Sequence, residues 1–555
     1  MRSRRCFTKR SRRAVPSPAF SRARSPANSM VSDMEWNVAD MMEAIADAHP
    51  DREALIVDGG PSLTWSELDT RASQLANHLI ESGIESGSHI ACYCANGNEY
   101  LETMLACFKA RMVPINVNWR YKSDEIAYLF DDADVAACVV DPDFVSVLDE
   151  ARVELPGLRL VMETGAGYEE AIAQAPKVRP FAGQRSPDDR YFLYTGGTTG
   201  YPKGVEWRQE DIIGAVWRTT GNLDMSRGPE QVLEISANPR TRYFAIPPFM
   251  HGAAHWGAFG AWLAGGVVMC MRSRSLDAPA ALRLVERERP NLMLIVGDAF
   301  AAPLLTELEK ADARGEPYDI SSLKVLVSSG APLSAHHKEA LQERMPRIVI
   351  ADTLGSSEAG VQAIASWRPE QKATRFVMND VTTVLDEETL EPLEPGSGRQ
   401  GVLAKSGYLP LGYYKDPEKS HRTFPEAGGK RWVVTGDHAI AEADGSITLL
   451  GRGSNCINTG GEKVYPEEVE AVIKAHPSVA DVLVVGVPDE RFGSAVTAVI
   501  EAEASIGTQE IRAFTEARLA GYKAPRHVVV VEKVPRAPSG KPDYKAALDL
   551  AVGGI

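Results

Sequence analysis

Two hydrophobic periods take turns along the first third of the chain. Short apolar runs at Ala54–Val57, Ile90–Cys94, Pro114–Asn118 and Val135–Val140 read as buried strands. Between them apolar residues recur at helical spacing. Thr64 opens one such helix, with Glu67 completing a capping box. Trp65, Leu68, Ala72, Leu75 and Leu79 form its apolar face, and Gly83 ends it. Further helices are expected over roughly 97–111 and from about Ser123. Such alternation predicts parallel sheet covered by helices, and it resumes after residue 205. From about 375 to 450 short apolar runs are separated by Gly, Pro and charged turns, as in a small β-rich unit. After Gly451 the texture is α+β. Pro466 starts a helix carrying Val469, Val472 and Ile473, and Gln509–Leu519 reads as another. Val482–Val487, Val496–Ile500 and Val528–Val531 read as strands. The predicted class is therefore α/β. A large N-terminal domain of doubly wound, largely parallel sheets with a small β-rich unit precedes a small α+β C-terminal domain.

Length supports more than one domain, since 555 residues exceed what a single core organises. The net charge of −15 argues against nucleic acid as the main partner. That charge is unevenly spread: residues 1–30 hold nine Arg/Lys and no Asp/Glu. Their Ser, Ala and Pro content resembles a transit peptide, but no clear amphipathic stripe is present. Sequence upstream of a start at Met30 or Met34 is the favoured reading. Residues 1–33 are thus expected to be a basic extension, disordered or untranslated. The seven cysteines include no C-x-x-C pair, so buried thiols in a reducing, cytoplasmic compartment are expected. Residues 243–271 lack any charged side chain, yet Pro247, Pro248, His251, His255 and five glycines argue against a transmembrane helix. A strand end, a turn and a buried helix fit better. A homodimer is the base-rate expectation.

Several polar segments carry candidate chemistry. Tyr191–Tyr194 reads as a strand that empties into a loop with Thr195, Gly196, Gly197, Thr198, Thr199, Gly200 and Lys203. Glycine backbone can approach phosphate oxygens, hydroxyls can bind phosphate or Mg²⁺, and the lysine adds a point charge. The spacing is not that of a P-loop. Ile348–Ala351 leads into Asp352, Thr353, Leu354, Gly355, Ser356, Ser357 and Glu358, a strand end delivering a hard oxygen ligand. Asp437 follows a β-like run and suits two ribose hydroxyls. Gly451-Arg452-Gly453-Ser454 reads as a hinge with a phosphate- or ribose-binding arginine. Lys541 lies on a late loop, a movable positive charge. The glycine-threonine loop reads as a nucleotide-phosphate loop on its own residues, whereas each of the other segments alone is more often an ordinary turn or surface group.

Their order and spacing together resemble the adenylate-forming superfamily: acyl-CoA synthetases, aryl-CoA ligases, luciferases and peptide-synthetase adenylation domains. The resemblance spans roughly residues 35–548. Tyr194–Lys203, the run GRGSNCINTGGEKVYPEEVE from Gly451 and GYKAPR…APSGKPDYK from Gly521 look most like actinobacterial fatty-acyl and steroid side-chain CoA ligases. The resemblance implies an enzyme using ATP, Mg²⁺ and CoA on a carboxylic acid, with domains 34–453 and 454–555. It implies that Thr195–Lys203 hold the outer phosphates. Glu358 and Thr198 would bind Mg²⁺, and Ser357 would contact the α-phosphate. Gly330, Ala331, Pro332 and Asp352–Gly355 would line adenine, with Ser356 beside them, while Asp437 and Arg452 hold ribose. Lys541 would bridge the carboxylate and the α-phosphate. His251 and Gly252 would border the acyl pocket, Gly460 and Gly461 the pantetheine channel, and Ser454 would be the hinge. Leu354 stands where the family often has an aromatic residue, and Ser454 where it usually has Asp or Lys. The apolar stretch 244–264 favours an apolar acid. An aryl-CoA ligase, an adenylation enzyme loading a carrier protein, and an inactive nucleotide sensor are the alternatives.

Overall fold

The computed structural model describes residues 34–555 except 182, 196–201, 368–374, 379–380, 453–454, 460–461, 490–492, 503–505, 520 and 538–539. The basic extension 1–33 lies outside the described residues. Glu35–Ile555 forms one unit.

Among the described residues, thirteen strands make one large sheet. Six of them run parallel, in the spatial order Glu53–Asp58, Val267–Met271, Arg242–Ala245, Leu292–Ile295, Val325–Ser329 and Val349–Ser356. These strands are nearly continuous apolar runs because helices cover both faces. Met269, Phe244, Met293, Leu326 and Ile350 pack with Leu282, Val285 and Leu304 of the covering helices in one core cluster. A second parallel sheet orders Val113–Asn116, His89–Tyr93, Val135–Val140 and Leu160–Glu163. A third, antiparallel, joins Arg190–Thr195, Lys203–Arg208 and Gly412–Tyr413. The helix Trp65–Glu81 begins on the predicted capping box: Thr64 Oγ1 accepts from Glu67 N–H, and the Glu67 carboxylate accepts from Thr64 N–H. The uncharged stretch resolves into the strands Arg242–Ala245 and Val267–Met271 around the buried helix Gly252–Leu263. No helix of the described residues is long and apolar enough to cross a membrane.

The β-rich stretch has its own small core, in which Val384, Leu403, Ala439 and Ile447 meet. It is nevertheless continuous with the large sheet. The hairpin Val349–Ser356/Gly360–Ser366 turns the sheet from parallel to antiparallel, and Phe376–Met378, Ser446–Arg452, Val433–Ala441, Gln400–Lys405 and Thr382–Leu385 follow edge to edge. One buried cation ties this extension to the helical layer. Lys405 Nζ donates to the carbonyls of Ala359 at 2.7 Å, Val361 at 2.9 Å and Ala215 at 3.3 Å. Burial pushes its ammonium down to about 7, and Arg218 adds to the shift.

The C-terminal domain is a small α+β unit. Strands Val479–Asp489, Gly493–Ala502 and His527–Val531 form its sheet. Side chains alternate between two cores: Val482 and Val484 face the helices Pro466–Lys474 and Thr508–Glu516, while Leu483 and Val485 face Tyr544–Gly554. Within it, desolvation pushes the Glu470 carboxyl up to about 8, although Val484 N–H (2.8 Å) and Tyr544 O–H (3.2 Å) donate to it.

Two outcomes follow from these buried groups. Lys405→Met leaves three carbonyls without their donor and should cost about 2–3 kcal/mol in urea unfolding. An unchanged midpoint would refute the anchoring role. At Glu470 the folded chain keeps a proton that the unfolded chain, with a value near 4.5, has released. Stability therefore falls as pH rises from about 4.5 to about 8. Glu470→Gln should melt with the wild type at pH 5 and on the order of 5 °C higher at pH 9. Parallel melting curves at both pH values would contradict this.

Candidate active site

Parallel strands place their carboxyl ends on one side, and ligands of such sheets bind there. At this edge Ala245 leads to the turn 247–251, Ile295 to Asp298, Ser329 to Gly330, and Ser356 to Glu358. Two buried asparagines join the turn to its surroundings. Asn96 donates to Pro247 O at 3.1 Å and accepts from Phe249 N–H at 2.7 Å. Asn116 donates to Tyr194 O and Met250 O, both at 2.8 Å, and accepts from Tyr194 N–H at 2.7 Å. The entrance to the glycine-threonine loop is thereby fixed against the His251 turn. Sequence reasoning missed both asparagines, because an Asn near a strand end reads as a turn residue.

His251 precedes the helix Gly252–Leu263, and its buried Nε2 has no hydrogen-bond partner among the described residues. Burial pushes the ring down to about 3, with Lys541, Arg120 and His255 adding to the shift. It is a neutral imidazole at any working pH. His255 lies behind it, with Nδ1 2.6 Å from Phe249 O and Nε2 2.5 Å from Tyr191 Oη. Burial holds that ring neutral too, near about 4. At Gly252 a Cβ would come 2.9 Å from Leu193, so backbone lies close to the strand there.

Lys541 reaches the same edge from the C-terminal domain. Its Cε lies 3.9 Å from where a Cβ on Gly330 would stand, and its charge is felt at His251. Gly330 and Gly540 take φ +82° and +81°, the left-handed region that favours glycine. Gly330, Ala331 and Pro332 form the loop beneath the lysine. A Cβ on Gly297 would meet Pro332 O at 2.3 Å, so this loop packs directly on the start of the helix Gly297–Arg314. Asp298, in that helix's first turn, accepts from Ser334 N–H at 2.8 Å and Ser334 O–H at 2.9 Å, with His337 Nδ1 at 2.8 Å. Burial alone would raise its pKa, but His337 and Lys474 hold the carboxyl well below the usual range.

Asp352–Ser356 lie within the strand Val349–Ser356 rather than beyond its end. Antiparallel pairing with Gly360–Ser366 extends the strand through them, with a register shift at Leu354/Gly355. A Cβ on Gly355 would approach Gly360 O to 2.3 Å, which explains the glycine. Asp352 is buried and paired with Lys338, which lies over the Trp367 ring. Leu354 packs partly against the β-rich core, and Thr353 is half-buried. Ser356 Oγ accepts from Ala359 N–H at 3.1 Å, closing the turn that carries Ser357 and Glu358. Ser357 O accepts from Trp207 Nε1–H at 3.1 Å. Glu358 Oε1 accepts from Tyr413 O–H at 2.6 Å.

Asp437 also lies inside a strand, Val433–Ala441, in register with Arg452 on Ser446–Arg452. Its carboxylate accepts from Thr435 O–H at 2.6 Å. Thr195 pairs in register with Lys203 at the base of the glycine-threonine loop. Lys203 Nζ lies 3.8 Å from Asp416 and 3.9 Å from Asp132. Gly196, Gly197, Thr198, Thr199 and Gly200, the hinge candidate Ser454, and Gly460 and Gly461 lie outside the described residues, as does the Arg452 side chain. Lys541, Glu358, the Gly330 loop and His251 thus belong to one strand edge. A cation, a carboxylate and a neutral ring there suit an anionic ligand beside an apolar one.

Comparison with known proteins bears on this edge directly. The family described as AMP-binding enzyme matches residues 42–414, and the AMP-binding enzyme C-terminal domain matches 468–541. A 3-oxocholest-4-en-26-oate–CoA ligase of Rhodococcus rhodochrous is 40% identical over 93% of this chain and 96% of its own. A medium/long-chain-fatty-acid–CoA/3-oxocholest-4-en-26-oate–CoA ligase of Mycolicibacterium smegmatis is 41% identical over 93% and 97%. The fold is similar to that of the anthranilate CoA ligase AuaEII in complex with anthranoyl-AMP, with TM-score 0.80, 23% identity and coverage of 94% and 99%. With both parts of the family matched and such relatives spanning nearly the whole chain, the protein belongs to the AMP-binding enzyme family, among its AMP-forming acyl-CoA ligases.

Proposed function

We propose that the protein activates an apolar carboxylic acid, a medium- or long-chain fatty acid or a steroid side-chain acid, and joins it to CoA. A carboxylate oxygen attacks the α-phosphorus of ATP and pyrophosphate leaves. The CoA thiolate then attacks the acyl carbon, and AMP leaves with the bridging oxygen. The observation that carries this reading is Lys541 poised above Gly330 and beside the neutral His251. Negative charge accumulates where carboxylate meets phosphate, and a cation positioned there opposes that repulsion. Holding both anions in one geometry adds proximity.

The other roles are proposed on the same footing. Thr195–Lys203 hold the departing phosphates, and Ser357 contacts the α-phosphate. Gly330–Pro332 and Asp352–Ser356 line adenine, with Asp352 contributing backbone since Lys338 engages its carboxylate. Asp437 and Arg452 hold ribose. Glu358 fits a Mg²⁺ ligand. No group of three or more His, Cys, Asp or Glu able to hold a metal occurs among the described residues, and Mg²⁺ is commonly held by one carboxylate plus substrate phosphates. When bound it would neutralise charge on those phosphates. His251 and Gly252 border the acyl pocket; an uncharged ring and the apolar helix Gly252–Leu263 disfavour a charged acid. The relatives' printed substrates support the choice of acids.

Domains 34–453 and 454–555, hinged at Ser454, are proposed to reorient between the steps. That motion would withdraw Lys541 and bring Gly460 and Gly461 to the pantetheine. Support comes from Ser446–Arg452 belonging to the large sheet while Ile457–Thr459 pairs with Glu462–Val464. Cytoplasmic operation is proposed because no disulfide links the cysteines among the described residues.

Incubation with ATP, Mg²⁺, CoA and a panel of fatty, aryl and steroid side-chain acids tests the reading. AMP and acyl-CoA should form with the apolar acids and stop on adding EDTA. AMP formation only with aryl acids, or with none, would overturn it.

A further inference from the structure

The loop that carries Lys541 is short and internally braced. Ala537 N–H donates to Lys541 O and Gly540 N–H to Ala537 O, both at 2.8 Å. Arg536 Nη1 donates to Gly540 O at 3.2 Å. The same guanidinium grips Asp481 on the C-terminal sheet, at 2.5 Å and 2.7 Å. Asp481 lies 3.0 Å from Lys474 Nζ, and Lys474 Nζ lies 2.5 Å from Asp298 Oδ2 of the N-terminal domain. That last contact is a close ion pair rather than an aligned hydrogen bond. All four side chains are at least four-fifths buried. Lys474 ends the helix Pro466–Lys474, where a cation is favoured. Beside the pair, a Cβ on Gly540 would stand 3.1 Å from Ala299 Cβ.

We propose that Lys474 is a positioning residue for adenylation: it latches the C-terminal domain onto Asp298 and so holds the Lys541 loop over Gly330. Its geometry supports this. Asp298 also fastens Ser334 and His337, so the carboxylate that holds the adenine-side loop also receives the domain bearing Lys541. Charges alternate along the chain Asp298, Lys474, Asp481, Arg536. Removing Lys474 leaves Asp298 to Ser334 and His337 alone and Asp481 to Arg536 alone. It also takes away the one cation that joins the two buried carboxylates across the domains, which favours a rearranged interface where water reaches them. Lys474 touches no substrate in this scheme; it biases which domain arrangement is populated.

The inference rests on the ligase reading, so its test has an arm that needs no acid. Hydrogen exchange of the full chain is measured for wild type, Lys474→Met, Lys474→Arg and Asp298→Asn. In the Met and Asn variants exchange over 536–543 should rise on the order of tenfold, while the core strands Val479–Asp489 and Gly493–Ala502 stay protected. Lys474→Arg should restore protection. In a second arm, pyrophosphate release with decanoic acid should fall on the order of tenfold in the Met variant. Thioester formation from preformed decanoyl-adenylate and CoA should be retained. Unchanged exchange at 536–543, an equal rise through the core strands, or equal loss of both half-reactions would overturn the latch. Should Lys474→Met not fold, Asp298→Asn carries the same comparison. A wild type inactive with every acid would count against the ligase reading, and the exchange arm would still decide the latch.

Discussion

Asp298 is the constraint around which the site is organised. Its carboxylate is taken from water and must be answered by hydrogen bonds and positive charge, because an unmatched buried charge costs several kcal/mol. Ser334 and His337 answer it from the N-terminal domain, and Lys474 from the C-terminal one. The loop over which Lys541 stands and the domain that delivers Lys541 therefore converge on one anion. The arrangement suits the proposed role, in which a cation is brought to two negative reactants and later let go. Ion pairs can be exchanged for water and other partners, whereas a large apolar interface would resist parting.

The sheet supplies the geometry. Six parallel strands present the His251 turn, Asp298, Gly330 and Glu358 on one edge, though these residues span more than a hundred positions of sequence. Helices on both faces keep the strands rigid. The change from parallel to antiparallel pairing after Val349–Ser356 turns the Glu358 loop back, and Lys405 pins that turn through three carbonyls. Asn96 and Asn116 do comparable work on the other side, holding the Tyr194 strand against the His251 turn. Small polar groups buried at loop junctions thus fix the turns that carry the candidate side chains.

Much of this was legible in the chain. Period-two and period-3.6 runs marked the elements, and Thr64 with Glu67 marked a helix start that forms as expected. Local signals could not show that Asp352–Ser356 and Asp437 lie inside strands, since pairing with Gly360–Ser366 and Ser446–Arg452 decides that. Nor could they show the β-rich stretch joining the large sheet, a matter of edges meeting. The charged segments at Glu358 and Lys541 are visible as motifs, but no local pattern sets Asp298, Lys474, Asp481 or Arg536 apart from ordinary helix-end or surface charges. Their meaning arises only when distant segments bury them together.

The central claim is that carboxylate and α-phosphate are joined at the Lys541 edge before CoA reacts. Decanoic acid labelled with ¹⁸O in its carboxyl group, incubated with ATP, Mg²⁺ and CoA, tests it most directly. The acyl-adenylate route predicts one labelled oxygen in the phosphate of AMP, read by mass spectrometry, and one remaining in the thioester. Acyl-CoA formed alongside unlabelled AMP would contradict the account.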